Sequence, residues 1–208
     1  FIATAEHSGQ IRAMGRQMLD TLRRDLAGAL PEGLPIAINM SAAELNDPSL
    51  MSYLRQADML ELLPRLMIEV TENILLEPRS TGMTTLSMLR SLGARVAVDD
   101  YGTGFSNMQT LEQLRPNVLK VDGSFTDLAA RSDARGRAFM ASARTLAESL
   151  GSAVLSERVE TEEHLRIVRE LGIPLGQGYH LGLVVPPEEL ARIVDDSGLA
   201  ASSTLVAG

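Results

Sequence analysis

Cysteine is absent from the 208 residues, which excludes disulfides, thiolate zinc sites and cysteine nucleophiles together. Aromatic residues make up 3%, so recognition by stacking would rest on very few side chains. Basic residues are in deficit: 27 acids face 19 bases, for a formal charge of −8. That balance argues against a nucleic-acid polymer or an anionic membrane as partner, because both demand a basic face. No apolar run approaches the ~20 residues that span a bilayer. No signal-type stretch is recognisable either, and a cytoplasmic setting is the expectation. The first residue is Phe1 rather than Met, so the chain reads as a piece of something longer. At this length, folding removes roughly 70% of the unfolded chain's surface from water, and the core needs no staples.

What is present is a repeated alternation of strand and helix. Short β-type runs occur at residues 35–39, 66–70, 95–99, 118–121, 153–156 and 174–177, the last being short and glycine-rich. Between them lie helical patterns such as 11–30, 84–92, 137–150, 162–171 and 187–194. Leu92-Gly93, Leu150-Gly151 and Leu171-Gly172 each predict a helix end, since glycine takes the left-handed cap cheaply. Pro187 followed by two glutamates predicts a helix start. Residues 1–195 are expected to form the domain, with 196–208, small and weakly patterned, as a tail or linker.

Parallel strands joined by crossover helices satisfy this pattern either as a doubly wound sheet or as a barrel. The polar residues favour the barrel. Asn39, Glu69 and Asp99 fall at the C-terminal ends of successive strands, and Lys120 and Glu157 end or follow the next two. Period-two alternation puts Asn39, Glu69, Asp99 and Lys120 on one face and an aliphatic set on the other. The polar face would then converge at one mouth of an α/β barrel.

Carboxylates gathered in one mouth raise one another's pKa and want a cation. The donors are all oxygen: Glu69, Asp99, Asp100, Glu157 and the Asn39 side-chain carbonyl. None of His7, His164 or His180 falls at the end of a clear strand. Hard ions, Mg²⁺ or Mn²⁺, are therefore favoured over zinc. The adjacent Asp99 and Asp100 suit two ions about 3.5–4 Å apart, an arrangement used for phosphoryl displacement. Lys120 is the one lysine in the chain; every other basic residue is arginine. Inside the apolar run VLKV it is costly unless carboxylates surround it, and its compact ammonium can hold a water where a guanidinium fork would not fit.

The motifs FIATAEHSG at 1–9, INMS at 38–41, IEVTE at 68–72, VDDYGTGFS at 98–106, LKVD at 119–122, ERVET at 157–161 and QGY at 177–179 carry a resemblance. The sequence resembles the EAL family of cyclic-di-GMP phosphodiesterases from Phe1 to about Pro186. The resemblance implies an α/β fold, a modified TIM-type barrel lacking its N-terminal strands, that cleaves one phosphodiester of cyclic-di-GMP to the linear dinucleotide. It implies Asn39, Glu69 and Asp99 as ligands of one metal, Asp100 with the second, and Glu157 at the metal centre. Lys120 would contact the attacking water, Gln177 would lie near it, and Glu160 would be a supporting acid. Glu72 would anchor the loop of Gly102, Thr103 and Gly104. Family members often carry an upstream sensory or GGDEF-type module, and a homodimer is a further expectation.

The chain departs from the family pattern in several places. The Glu-Ala-Leu motif would precede the segment matching Phe1, so the expected barrel is incompletely closed and its missing glutamate must come from elsewhere in a parent chain. Arg158 stands where the family usually has glycine, a cation able to pair with the acids, contact phosphate or crowd the site. Tyr101 and Phe105 exchange the usual aromatic order. Leu181, Leu183 and Val184 replace an aromatic, a basic residue and proline. Two functional classes stay open on sequence: a metal-dependent phosphodiesterase, and an EAL-like nucleotide receptor or protein-interaction module without turnover. Another metal-dependent barrel enzyme is a third.

Overall fold

The computed structural model describes residues 2–28, 34–71, 80–104 and 108–197. Six strands alternate with ten helices among these residues. The strands are β1 (Ile36–Asn39), β2 (Leu66–Thr71), β3 (Arg95–Tyr101), β4 (Val118–Val121), β5 (Ala153–Ser156) and β6 (Leu175–Gly176). Their order in the sheet is their order in the chain, and the pairs from β3 to β6 are parallel. A doubly wound sheet reverses its strand order at a switch point; this one has none. The barrel-type reading of the sequence holds, and each predicted strand lies within a residue or two of its expected span.

Contacts divide the chain into two units. The first takes residues 1–68, 76–95 and 185–204. Its described helices are α1 (Ile2–His7), α2 (Ile11–Gly28), α3 (Ala42–Leu45), α4 (Leu50–Gln56), α5 (Thr81–Ser91) and α10 (Pro187–Ser197), with a 3-10 helix over Leu60–Arg65. Leu19, Leu45, Leu54, Met59, Leu63, Leu86 and Leu89 are buried in it. Ser41 and Glu44 close a reciprocal capping box at the start of α3, satisfying two amide groups that the helix leaves open. Helix α5 begins three residues before the expected 84 because Ser80 accepts a hydrogen bond from the Met83 amide. It ends at the predicted glycine: Gly93 has φ +101°, and a Cβ there would lie 2.9 Å from Pro64 Cγ.

Among the described residues, the second unit takes 69–71, 96–104 and 108–184. Its helices are α6 (Met108–Leu114), α7 (Gly123–Ala130), α8 (Ala134–Ser149) and α9 (Glu162–Glu170). Val96, Ala97, Val98, Leu119, Val121, Met140, Val154, Leu155 and Ile167 form its core. The amphipathic pattern marked α8 from residue 137; Asp133, which accepts a hydrogen bond from the Arg135 amide, moves the start to Ala134. Helix α7 carries no strong pattern of its own and is set by Asp122, which caps the Ser124 amide at 3.0 Å. Glu72, the expected loop anchor, and Phe105 and Ser106 lie outside the described residues, as do residues 198–208 of the expected tail. Among the described residues no helix is long and apolar enough to cross a membrane.

One buried polar chain ties α7 to the end of β5. Thr126 and Ser156 are both fully buried; their hydroxyl oxygens lie 2.8 Å apart, and Thr126 Oγ1 donates to the Glu157 carbonyl at 2.8 Å. Valine has nearly the shape of threonine but no hydroxyl. Thr126→Val is expected to cost about 1–3 kcal/mol, because it strands a buried carbonyl and a buried hydroxyl; urea denaturation checks it.

Candidate metal centre

The site lies within the second unit and is built from strand ends. Lys120 sits in β4 between apolar neighbours and is 3% exposed. Its ammonium meets three carboxylates: Glu69 Oε2 at 3.0 Å, Asp99 Oδ1 at 2.8 Å and Glu157 Oε1 at 2.8 Å. These come from β2, from β3 and from the residue after β5. The parallel ladder explains the convergence, since Lys120 pairs with Leu155 in register and the Glu157 amide donates to the Val121 carbonyl at 3.1 Å. The surrounding acids demanded by a buried lysine are therefore all present.

Asp99 and Asp100 are adjacent, so a regular strand would send them to opposite faces. The β3–β4 register shifts between Val98 and Tyr101, and Asp100 has φ +54°. A bulge of this kind re-aims side chains at the end of a strand. One carboxylate oxygen from each of Asp99, Asp100 and Glu157 then falls within 4.8 Å of the others. Asp99 Oδ1 is buried and ion-paired to the ammonium at 2.8 Å, without the alignment of a full hydrogen bond. An under-satisfied buried carboxylate oxygen inside an all-oxygen cluster fits a hard divalent cation.

The electrostatics follow from three acids sharing one base. Burial pushes the Glu157 carboxyl up to about 7, the Lys120 ammonium only partly offsetting it and the Asp99 charge adding to it. Burial likewise raises Glu69, against the attraction of Lys120. For Lys120 the balance is reversed. Burial would lower it, but Glu69, Asp99 and Glu157 together hold its proton above the ordinary lysine range.

Asn39 ends β1 in the first unit and is exposed. Gln177 is half-buried, and its main chain donates to the Ser156 carbonyl and accepts from the Val159 amide, both at 2.9 Å. Glu160 is exposed, and its amide lies 3.2 Å from His164 Nδ1. In the glycine loop, Thr103 donates twice to the Asp100 carbonyl, through its amide at 3.2 Å and its hydroxyl at 3.1 Å. Gly104 is half-buried. Gly102 packs so closely on Phe125 and Phe139 that a Cβ would overlap both rings. Tyr101, Phe125 and Phe139 stack at centroid distances of 5.7 and 3.8 Å, so three of the chain's seven aromatic residues gather under this loop.

Arg158, the cation at the unusual position, engages none of the cluster acids among its contacts; its guanidinium lies 3.1 Å from Asp127 Oδ2. Sequence reasoning missed Thr126, Asp127 and His164, which brace the segment after β5. Thr161, capping the His164 amide at 3.1 Å, was the local cue to where His164 would face. Leu183 and Val184 are 69% and 83% exposed.

The sign of the pH dependence follows from Glu157. Its carboxyl ordinarily titrates at 4.5 but at about 7 in the folded protein, so between those values the native state holds a proton the unfolded chain has lost. Its contribution to stability therefore falls as pH rises through that window. In chelator, Glu157→Gln is expected to flatten this part of the profile, so that its stability relative to the unsubstituted protein is more favourable at pH 8 than at pH 5. Thermal denaturation at the two pH values checks it.

Residues 1–184 match the EAL domain family. Among curated relatives, the cyclic di-GMP phosphodiesterase PA2567 of Pseudomonas aeruginosa is 33% identical over 91% of this chain and 33% of its own length. The bifunctional diguanylate cyclase/cyclic di-GMP phosphodiesterase MucR of the same organism is 30% identical over 93% of this chain and 29% of its own. The chain spans between 24% and 39% of the length of these and other curated relatives. A solved MucR phosphodiesterase in complex with c-di-GMP superposes with a TM-score of 0.81, at 29% identity, over 91% of this chain and 78% of that one. BlrP1 of Klebsiella pneumoniae, solved with manganese and cy-diGMP, gives 0.69 at 25% identity, over 83% of this chain and 44% of that one. With the family's model matching residues 1–184, the chain belongs to the EAL domain family.

Proposed function

We propose that the full-length protein carrying this chain hydrolyses one phosphodiester bond of cyclic-di-GMP, in the presence of Mg²⁺ or Mn²⁺, to the linear dinucleotide. The observation that carries the proposal is the meeting of Glu69, Asp99 and Glu157 on the buried Lys120 ammonium. A module that only docked a protein would have no chemical need for so costly a cluster. The manganese and cy-diGMP in the BlrP1 relative support the same reading.

Asn39, Glu69, Asp99, Asp100 and Glu157 would hold two such ions. When bound, such ions lower the pKa of water and neutralise charge on the phosphate. Lys120, keeping its proton, donates to the attacking water and fixes its approach. Glu157 would accept a proton from that water. The water oxygen bonds to phosphorus, the ribose oxygen opposite leaves and takes up a proton, and the ring opens to a terminal phosphate. Gln177 and Glu160 support the water from the rim. The glycine loop of Gly102, Thr103 and Gly104, with Glu72 as its anchor, holds Asp100 in place. The parent would be a self-associating cytoplasmic signalling protein; its joining to a sensory or cyclase module is supported by the names of two relatives, one a bifunctional diguanylate cyclase/phosphodiesterase and one an oxygen sensor.

The test is product formation by the full-length protein. Linear dinucleotide is expected with Mg²⁺ or Mn²⁺ and not in excess chelator. Asp99→Ala is expected to abolish turnover, and Lys120→Ala to lower kcat by about 10²–10⁴, followed by chromatography of the product. Nucleotide binding by calorimetry with no product after prolonged incubation would replace the enzyme by the receptor.

A further inference from the structure

Arg158 adopts φ +55°, a left-handed conformation that a residue with a side chain keeps only when its surroundings hold it. Three contacts do so. Its guanidinium reaches Asp127 Oδ2 at 3.1 Å. Its carbonyl oxygen lies 2.9 Å from His164 Nδ1, and His164 Nε2 faces the other Asp127 oxygen at 3.6 Å. Its aliphatic stem lies across Gly123, where a Cβ would overlap the Cβ, Cγ and Cδ atoms of Arg158.

The flanking residues cannot follow a relaxation of this turn. On one side, the Glu157 carbonyl accepts from Thr126. On the other, buried Val159 exchanges hydrogen bonds with Gln177 and His180, at 2.9 and 3.0 Å. Gly178 approaches Val159 so closely that any side chain there would meet its backbone. Rotation about φ of Arg158 would therefore swing the peptide that carries Glu157, and with it the carboxylate 2.8 Å from Lys120.

We propose that Gly123 and Arg158 are a size-matched pair that positions Glu157: the side chain missing at 123 is the space in which Arg158 lies, and its anchorage on Asp127 and His164 maintains the turn. Arg158 is thus a positioning residue that acts through Glu157. The inference rests on the proposed role of Glu157 at a metal centre.

Gly123→Ala, Arg158→Gly, Arg158→Ala and the double variant Gly123→Ala/Arg158→Gly are made in the full-length protein. Mn²⁺ affinity is measured by calorimetry, kcat and KM by product formation, and stability by urea denaturation. Gly123→Ala is expected to weaken Mn²⁺ binding about tenfold and to lower kcat with KM little changed. Arg158→Gly, which reaches a left-handed φ freely, stays within about threefold of the unsubstituted protein. Arg158→Ala, with neither glycine's freedom nor the Asp127 contact, loses as much as Gly123→Ala. In the Arg158→Gly background, Gly123→Ala then costs less than twofold. Equal losses from Gly123→Ala in both backgrounds, or none in either, overturn the pairing, as does a double variant that fails to fold alongside the single one. Absence of Mn²⁺ binding by the unsubstituted protein defeats the proposed function instead. The pairing is then decided by whether the denaturation midpoints show the same rescue.

Discussion

One buried ammonium holds three carboxylates together, and the site's arrangement depends on that balance. Lys120 is nearly inaccessible to water, so desolvation works against its charge and against those of Glu69 and Glu157. Removing a single partner from such a group typically costs several kcal/mol, because the charges left behind stay buried. The arrangement is tolerable only as a set. It leaves the acids in excess, with Asp100 close by, and that surplus of negative charge is what gives a divalent ion a reason to bind.

The sheet makes the set possible. Parallel strands in chain order bring their C-terminal ends to one side, so residues far apart in sequence become neighbours without special loops. Glu69 and Lys120 are separated by 51 positions and hydrogen-bond directly. The turn after β5 then adds Glu157, braced from behind by Thr126 and Ser156. Precision therefore comes from regular strand at Glu69 and Lys120, from the bulge at Asp99, and from a held turn at Glu157.

Much of this was legible in the sequence. Alternation of apolar and polar residues located the strands, and the polar residues near the ends of β2, β3 and β4 pointed to the cluster around Lys120. The lone lysine, placed where burial would penalise it, identified its own partners. What periodicity could not supply was the bulge. Strict alternation sends Asp99 and Asp100 apart, and only the register shift in β3, with Asp100 in a left-handed conformation, returns both to one side. Nor could the sequence say where Arg158 points. Its neighbour across the fold, Gly123, is 35 positions away and looks like an unremarkable helix start. The helix α7 that connects them is fixed by capping and packing rather than by a hydrophobic stripe.

Because Lys120 is the only lysine, it is also the only side-chain primary amine in these 208 residues. Acylating reagents attack the neutral amine, and here that form is suppressed by its salt bridges and screened from solvent by burial. Any such label reaching position 120 must have entered through a transient opening of the strand ends. The uptake of one acyl group thus becomes a clock for how often the heart of the molecule breathes.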